Sequence, residues 1–325
     1  MAWSTLGTMG DLKDKIISEL DILRHVSAGE ESGPFKVRQY AAAIATLRAL
    51  PGPIRSMADV PIEKGNGIGE KIQIKIAKIL EHGCLEISPA ARAAATALEV
   101  FRGIYDVGPK TAEKLVAAGY TTLASLRAAA ETNPKLLTKN QRLGLQYYED
   151  IQERIPRSEM DAHSAVLMAA KPAGLEGMVV GSYRRGRPDS GDIDMIVRTT
   201  APLATYVEAL KARGYLTDVL AQGESKCLAI CRLPGGKARR LDLLVATPEA
   251  YPFSVLYFTG SDGFNVEMRR KAQERGFTLN EHALTHVRTG KTVGGVKAEK
   301  DIFAALKIQW KEPTERTGPD ACCWA

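Results

Sequence analysis

The sequence predicts an α+β protein, helical through its first half and sheet-forming in its second. Three observations carry this. Apolar residues recur at three- and four-residue spacing from Leu12 to Leu145, broken by Gly-rich turns. Short apolar runs that read as strands come later, at Val179–Val180, Ile193–Val197, Ala229–Leu233 and Leu241–Val245. Two of these runs carry acidic residues where core residues are expected: Asp192 and Asp194, then Asp242.

A chain of 325 residues has room for two to four subdomains and a sizeable core. Hydrophobic residues make up 45% and charged residues 25%, the proportions of a globular protein. No apolar run approaches the ~20 residues of a membrane span. The stretch Met1–Leu6 lacks a secretory apolar region, so an intracellular protein is expected. The net charge of +6 mildly favours a polyanionic partner. Cys84, Cys227, Cys231, Cys322 and Cys323 show no paired zinc spacing, and their odd number argues against a disulfide framework. Cys227 and Cys231 read as packed thiols, and the histidines form no cluster.

Residues 11–50 read as two amphipathic helices. Leu12, Ile16, Ile17, Leu20 and Leu23 line the first, Gly29 to Pro34 breaks it, and Phe35, Tyr40, Ala41, Ile44 and Leu47 line the second. Two related strings follow, Gly65-Asn66-Gly67-Ile68-Gly69-Glu70-Lys71 and Gly103-Ile104-Tyr105-Asp106-Val107-Gly108-Pro109-Lys110. Each reads as a helix, a Gly turn and a helix opening near a lysine, which forms an internal repeat. They resemble the helix-hairpin-helix, whose exposed helix N-terminus binds a DNA phosphate without reading sequence. On the helix Glu70–Glu81, Lys75 falls at the edge of the stripe Ile72, Ile76, Ile79 and Leu80, with Lys71 and Lys78 as neighbours. Partial burial and nearby cations both favour a neutral amine, which can attack an aldehyde; a solvated basic face on DNA is the alternative. Residues 90–155 read as Ala-rich helices, with Ala112, Leu115 and Val116 on one apolar face and Leu136, Leu143, Leu145, Tyr147 and Tyr148 on another. A helix over 160–176 and another over Pro202–Lys211 precede the later strands.

The segment Val179–Val197 holds the sharpest chemistry. Alternation along a strand points Asp192 and Asp194 to one face. Paired carboxylates near an apolar sheet repel, and a divalent cation on oxygen ligands removes that cost. Gly181 and Ser182 bring backbone N–H groups and a hydroxyl within reach of a phosphate. The plainer reading is a polar hairpin with two solvated aspartates. The stretch resembles the nucleotidyltransferase superfamily, which implies a third carboxylate on a neighbouring strand. Asp242, in Arg239-Arg240-Leu241-Asp242-Leu243-Leu244-Val245, is the candidate.

From about residue 10 to 315 the chain resembles DNA polymerase family X, and within it the beta-like enzymes. The specific matches are Gly181-Ser182-Tyr183-Arg184-Arg185-Gly186, Ser190-Gly191-Asp192-Ile193-Asp194, Arg240-Leu241-Asp242, Leu256-Tyr257-Phe258-Thr259-Gly260-Ser261-Asp262 and Lys300-Asp301-Ile302-Phe303. The resemblance implies an N-terminal helical lyase domain with helix-hairpin-helix motifs, then a hand-shaped polymerase domain with a nucleotidyltransferase palm sheet. The implied divisions are a deoxyribose-phosphate lyase domain over 1–90, a helical DNA-binding subdomain over 91–157, a catalytic palm over 158–250 and a nascent-base-pair subdomain over 251–325.

By the same resemblance Asp192, Asp194 and Asp242 hold two Mg²⁺ ions, with Mn²⁺ as a substitute. Arg154, Ser182, Arg185 and Gly191 match positions on the triphosphate. Tyr257, Phe258 and Gly260 match a sugar-selecting turn, and Asp262 and Asn265 match residues against the nascent base pair. Arg269 matches a template-side arginine and Glu281 a supporting carboxylate. Lys75 falls on the Schiff-base lysine, and Lys36, Tyr40 and Lys71 on or beside the 5′-phosphate pocket. Gly67, Gly69, Gly108, Lys110 and Arg240 complete the expected DNA contacts, with Na⁺ or K⁺ at the hairpin turns. Two positions depart. Gly65-Asn66 stands where the family has an apolar residue and Pro, and Leu244 replaces an arginine that restrains the metal-binding aspartate in the closest relatives.

The leading expectation is a gap-filling, base-excision-repair DNA polymerase with deoxyribose-phosphate lyase activity. A family member with weak or absent lyase activity, an enzyme adding terminal nucleotides to RNA, and a non-catalytic DNA scaffold are the alternatives. Expected partners are gapped or nicked duplex DNA, deoxynucleoside triphosphates and other base-excision-repair proteins. The chain is expected to act as a monomer, away from membranes, in the nucleus or a mitochondrion-type organelle.

Overall fold

A computed structural model describes residues 11–27, 33–63, 65–199 and 201–325. The N-terminal stretch 1–10 and most of the expected Gly29–Pro34 break lie outside the described residues. The chain divides into two compact units, Met1–Leu145 and Gln146–Ala325.

The first unit is helical: α1 (Lys13–Ser27), α2 (Gly33–Ala49), α3 (Glu70–His82), α4 (Pro89–Arg102), α5 (Pro109–Ala117), α6 (Leu123–Thr132) and α7 (Lys139–Gln146). Ile16, Ile17 and Leu20 of α1 pack with Tyr40, Ala43, Ile44 and Leu47 of α2 and with Ile72, Ile76 and Ile79 of α3. The expected apolar face of α2 is therefore rotated, since Phe35 and Ala41 are exposed and Ala43 is buried. The second hairpin is a true pair of helices, α4 and α5. The first departs from the reading: its turn is preceded by a single 3₁₀ turn, Met57–Asp59, capped by Ser56. Pro51, Pro53 and Pro61 crowd that stretch and deny it the N–H groups an α-helix needs. Glu19 is buried on α1, where it accepts from both Arg92 amino groups at 2.6 and 2.9 Å and from the Leu85 N–H at 3.0 Å.

The second unit is α+β. Its elements are α8 (Tyr148–Gln152), β1 (Ile155–Pro156), α9 (Arg157–Ala169), β2 (Glu176–Val179), α10 (Gly181–Arg184), β3 (Asp189–Ser190), β4 (Ile193–Arg198), α11 (Leu203–Ala212), β5 (Leu216–Gln222), β6 (Lys226–Arg232), β7 (Ala238–Val245), α12 (Tyr251–Thr259), α13 (Asp262–Glu274), β8 (Phe277–Leu279), β9 (Leu284–His286) and α14 (Glu299–Ala305). The helix expected over 160–176 starts three residues earlier and stops at Ala169, because Pro172 and Gly174 (φ +78°) turn the chain into β2. β5 escaped the sequence reading; register shifts against β6 blur its alternation.

The main sheet runs β2-β4-β7-β6-β5, with β4 and β7 parallel and the other pairs antiparallel. Alternation sorts its side chains. Ile193, Met195, Val197, Leu241 and Leu243 pack with Leu167 of α9 and Tyr206, Val207 and Leu210 of α11. Ile196 and Leu244 face the other way, against Val180, Ala250 and Val255. Asp194 and Asp242 share the alternation of Ile196 and Leu244, so they project on that second face.

A buried ion cluster joins α10 to α14. Glu299 accepts from Arg184 at 2.6 Å and from Arg316 at 2.6 Å, and Arg316 is fully buried. Burial opposes ionisation of Glu299, yet the two guanidiniums hold its carboxyl below the usual range. Glu299→Ala strands two cations, and the expected loss is about 3 kcal/mol of unfolding free energy. Urea denaturation checks this, and a loss below 1 kcal/mol would show the cluster to be weakly coupled to stability.

Candidate active site

The parallel register of β4 and β7 sets Asp194 directly opposite Asp242. Asp192 lies in a bend just before β4 rather than on the strand, which corrects the expectation of a two-residue strand pair. The three carboxylates nonetheless converge, each offering an oxygen within 4.8 Å of the others. Burial, then the charges of Asp192 and Asp242, push the Asp194 carboxyl up to about 7. Burial also pushes Asp242 up, against the pull of Arg240. Hard oxygen ligands that repel one another at low dielectric suit a divalent cation, which would favour the ionised forms of Asp194 and Asp242.

Arg240, read from the sequence as a DNA contact, bonds Asp192 at 2.5 Å and lies 3.7 Å from Asp242. It is a local counter-charge of the cluster. Leu244 packs against apolar neighbours on the same face.

A cleft of about 370 Å³ opens beside the aspartates. It is lined by Arg154, Ser182, Arg185, Gly191, Tyr257, Phe258, Gly260, Asp262 and Asn265, together with Gly181, Asp192 and Asp194. All nine residues expected on the nucleotide thus share one cavity. Gly181 holds φ +61°, and a Cβ there would lie 2.8 Å from an Asp194 oxygen, so only glycine lets α10 approach the carboxylate. Ser182 donates to Ser190 at 2.9 Å. Arg185 donates to the Thr259 carbonyl at 2.5 Å, and burial draws its guanidinium below its ordinary range. Among the described residues Arg185 Nε has no hydrogen-bond partner, which leaves a buried donor for an anion. Arg154 pairs with Asp189 at 2.6 Å, a partner the sequence did not reveal. Asn265 donates to the Tyr257 carbonyl at 2.7 Å, fixing the turn between α12 and α13. Arg269 lies over the Tyr257 ring at 5.9 Å. Glu281 contributes its carbonyl to Ser254 at 2.8 Å.

The sequence also missed a clamp behind the cleft. Arg239, 2% exposed, bonds both oxygens of Glu159 and donates to the carbonyls of Asp150 and Glu153 at 3.0 and 2.8 Å. It braces the segment that presents Arg154.

In the first unit the α3 start at Gly69 and the α5 start at Gly108 carry no side-chain cap, so their first N–H groups are free of side-chain acceptors. Gly67 turns at φ +80° ahead of α3, and Lys110 is exposed on α5. Lys71 is exposed one turn before Lys75, and the half-buried Lys75 amine donates to the Lys71 carbonyl at 3.3 Å. Burial, then Lys71, Lys36 and Lys78, hold the Lys75 amine below the ordinary lysine range. Tyr40, expected at the phosphate pocket, has its ring buried in the core.

The fold and its acidic cleft define a palm of the nucleotidyltransferase type. Family models match as DNA polymerase beta palm over residues 154–248, DNA polymerase beta thumb over 254–317, the fingers domain of DNA polymerase lambda over 99–152 and a helix-hairpin-helix domain over 14–85. DNA polymerase lambda of Rattus norvegicus is 33% identical over 307 residues, covering 85% of this chain and 52% of the relative. The lambda polymerase of Arabidopsis thaliana is 30% identical over 325 residues (89% and 58%), and DNA-directed DNA/RNA polymerase mu of Homo sapiens is 29% identical over 341 residues (91% and 67%). The chain belongs to DNA polymerase family X. It spans between 52% and 67% of the length of these relatives. Among the described residues no helix is long and apolar enough to cross a membrane.

If the aspartates form a cation site, Mg²⁺ or Mn²⁺ stabilises the folded chain by mass action. Adding either at millimolar concentration should raise the thermal midpoint, and Asp242→Ala should remove most of that rise. An equal rise in the variant would place the cation elsewhere.

Proposed function

We propose that this chain is a template-directed DNA polymerase that fills short gaps in base excision repair and carries a 5′-deoxyribose-phosphate lyase activity. One observation carries the polymerase reading: three converging carboxylates border a cleft that gathers Arg154, Ser182 and Arg185 opposite Tyr257, Phe258 and Asn265. Divalent cations held by Asp192, Asp194 and Asp242 would supply Lewis acidity and neutralise charge on the reacting phosphate. Arg154, Arg185, Ser182 and the N–H at Gly191 bind and orient the triphosphate. Tyr257, Phe258 and Gly260 bound the sugar, and Asp262 and Asn265 lie toward the base pair. Arg240, bonded to one Asp192 oxygen at 2.5 Å, would compete with a cation for that carboxylate.

The family membership and the polymerase relatives support a polymerase on DNA. The same reading divides the chain into a lyase domain (1–90), a helical DNA-binding subdomain (91–157), a palm (158–250) and a C-terminal subdomain (251–325). The uncapped helix starts at Gly69 and Gly108 would grip DNA phosphates, with an alkali cation at each turn. Lys36, Tyr40 and Lys71 would border the 5′-phosphate. Lys75 would act as a nucleophile on the sugar aldehyde: its amine adds to C1′, water leaves, and loss of the C2′ proton from the imine expels the phosphate strand.

Two tests follow from these sites. Asp242→Ala should lower single-nucleotide gap filling by at least about 10³-fold while DNA affinity stays within a few fold. Near-wild-type extension in Mg²⁺ would remove the three-carboxylate model. Borohydride should trap a covalent adduct on 5′-incised abasic DNA, and Lys75→Ala should lose most of it yet keep gap filling. The trapping rate should rise with pH and level off below the ordinary lysine range, because the depressed amine is deprotonated there. Trapping that survives Lys75→Ala and vanishes in Lys71→Ala reassigns the nucleophile.

One relative is a DNA-directed DNA/RNA polymerase, so sugar choice is the point at which this chain must be measured. Deoxynucleotides should be preferred, because Tyr257 and Phe258, on the last turn of α12, wall the cleft. Equal single-turnover efficiency for ribonucleotides would show that the turn is no sugar gate.

A further inference from the structure

Helix α13 has two working faces. At about 100° per residue, Asp262, Asn265 and Arg269 fall on one side, and Gly263, Lys271 and Arg275 fall roughly 160° away. Asp262 and Asn265 line the cleft. The far side is covered by the segment Gly318–Ala325, which lies beyond the matched thumb region ending at residue 317.

That segment follows the helix from its first turn to its last. At the start, Pro319 packs so closely that a Cβ on Gly263 would meet its Cδ at 2.9 Å. In the middle, Cys322 is 4% exposed and shares a core with Phe264, Met268 and Ala272. At the end, the Trp324 ring stacks under two cations of the helix, with Lys271 Nζ at 4.1 Å and the Arg275 guanidinium at 4.6 Å. The segment is itself anchored. Gln309 N–H donates to the Cys323 carbonyl and Ala325 N–H to the Lys307 carbonyl, both at 3.0 Å, and Ile308 bridges Trp324.

We infer that Gly318–Ala325 is a positioning strap for α13, setting the axial position and rotation of the helix that presents Asp262 and Asn265, and so tuning discrimination among nucleotides. A helix held at both ends on one side cannot roll or slide without breaking the stacked tryptophan or the Pro319–Gly263 contact. Small shifts at a selecting face are costly in rate, because misplacement by about 1 Å can lose orders of magnitude. The inference rests on the polymerase reading for its effect on selection, while the strap itself is independent of it.

The test compares the wild type with Trp324→Ala, Trp324→Phe and a chain ending at Thr317. Single-turnover insertion of matched and mismatched deoxynucleotides on one-nucleotide-gapped DNA gives the discrimination ratio. In Trp324→Ala and the shortened chain it should fall on the order of tenfold, mainly through a lower maximal rate for the matched nucleotide. Trp324→Phe keeps a ring for the cations and should recover most of the ratio. Amide hydrogen exchange in α13 should quicken in the same two variants and return in Trp324→Phe. Wild-type discrimination together with wild-type α13 exchange in Trp324→Ala would overturn the strap. A wild-type chain that inserts no nucleotide would refute the polymerase reading instead; α13 exchange then decides, faster supporting the strap and unchanged exchange overturning it.

Discussion

Like-charge repulsion between three half-buried carboxylates is the constraint on which the catalytic unit turns. Parallel pairing of β4 with β7 forces Asp194 against Asp242, and the bend before β4 swings Asp192 in beside them. Burial on this sheet face, and then the charges of Asp192 and Asp242, push the Asp194 carboxyl up to about 7. One guanidinium, Arg240, offsets part of the repulsion. The surrounding parts bring further positive charge to the rim: Arg185 through Gly181's close approach, and Arg154 through the Arg239 clamp.

The molecule contains other buried acids, and they behave oppositely. Glu19 and Glu299 are nearly inaccessible, yet arginine bonds outweigh burial and keep both below the usual range. Glu159 is likewise held down, first by its bonds to Arg239. These are satisfied pairs, and their work is to fix helices. Asp194 and Asp242 are raised because burial outruns their partners. A fold that repeatedly saturates buried acids with arginine but leaves two aspartates under-compensated in a cleft separates structural charge from functional charge.

Much of this was legible from residues. The alternation around Asp194 gave the strand, and the Gly-Ser string gave the close approach, because both depend on local spacing. The nine cleft residues were named from the family resemblance, and the sheet brought them together. What escaped depends on distant chain. The rotation of α2 that exposes Phe35 and buries Ala43 is set by α1 and α3, whereas sequence periodicity alone put Phe35 and Ala41 on the apolar face. Asp192's place in a bend, Arg240's pairing with it, and the Glu159–Arg239 clamp follow from strand order and register, which local pattern does not encode. The first hairpin misled for a local reason: its prolines replace the expected helix by a 3₁₀ turn.

The two proposed chemistries rest on one physical device with opposite sign. In the catalytic unit, burial and neighbouring negative charge raise carboxylates toward neutrality, which primes them for cations. In the N-terminal unit, burial and neighbouring positive charge from Lys71, Lys36 and Lys78 lower the Lys75 amine, which primes it for an electrophile. The difference lies in what relieves the strain. A cation bound in the acidic cleft would favour the charged aspartates, and its departure would leave them raised again. A lysine amine among lysines is relieved by proton loss, and the neutral amine then has a lone pair to share. Replacing Lys36 or Lys71 by a neutral residue would therefore do more than weaken the proposed phosphate grip: it would also raise the Lys75 amine back toward the ordinary range and reduce the neutral fraction that the proposed lyase step needs.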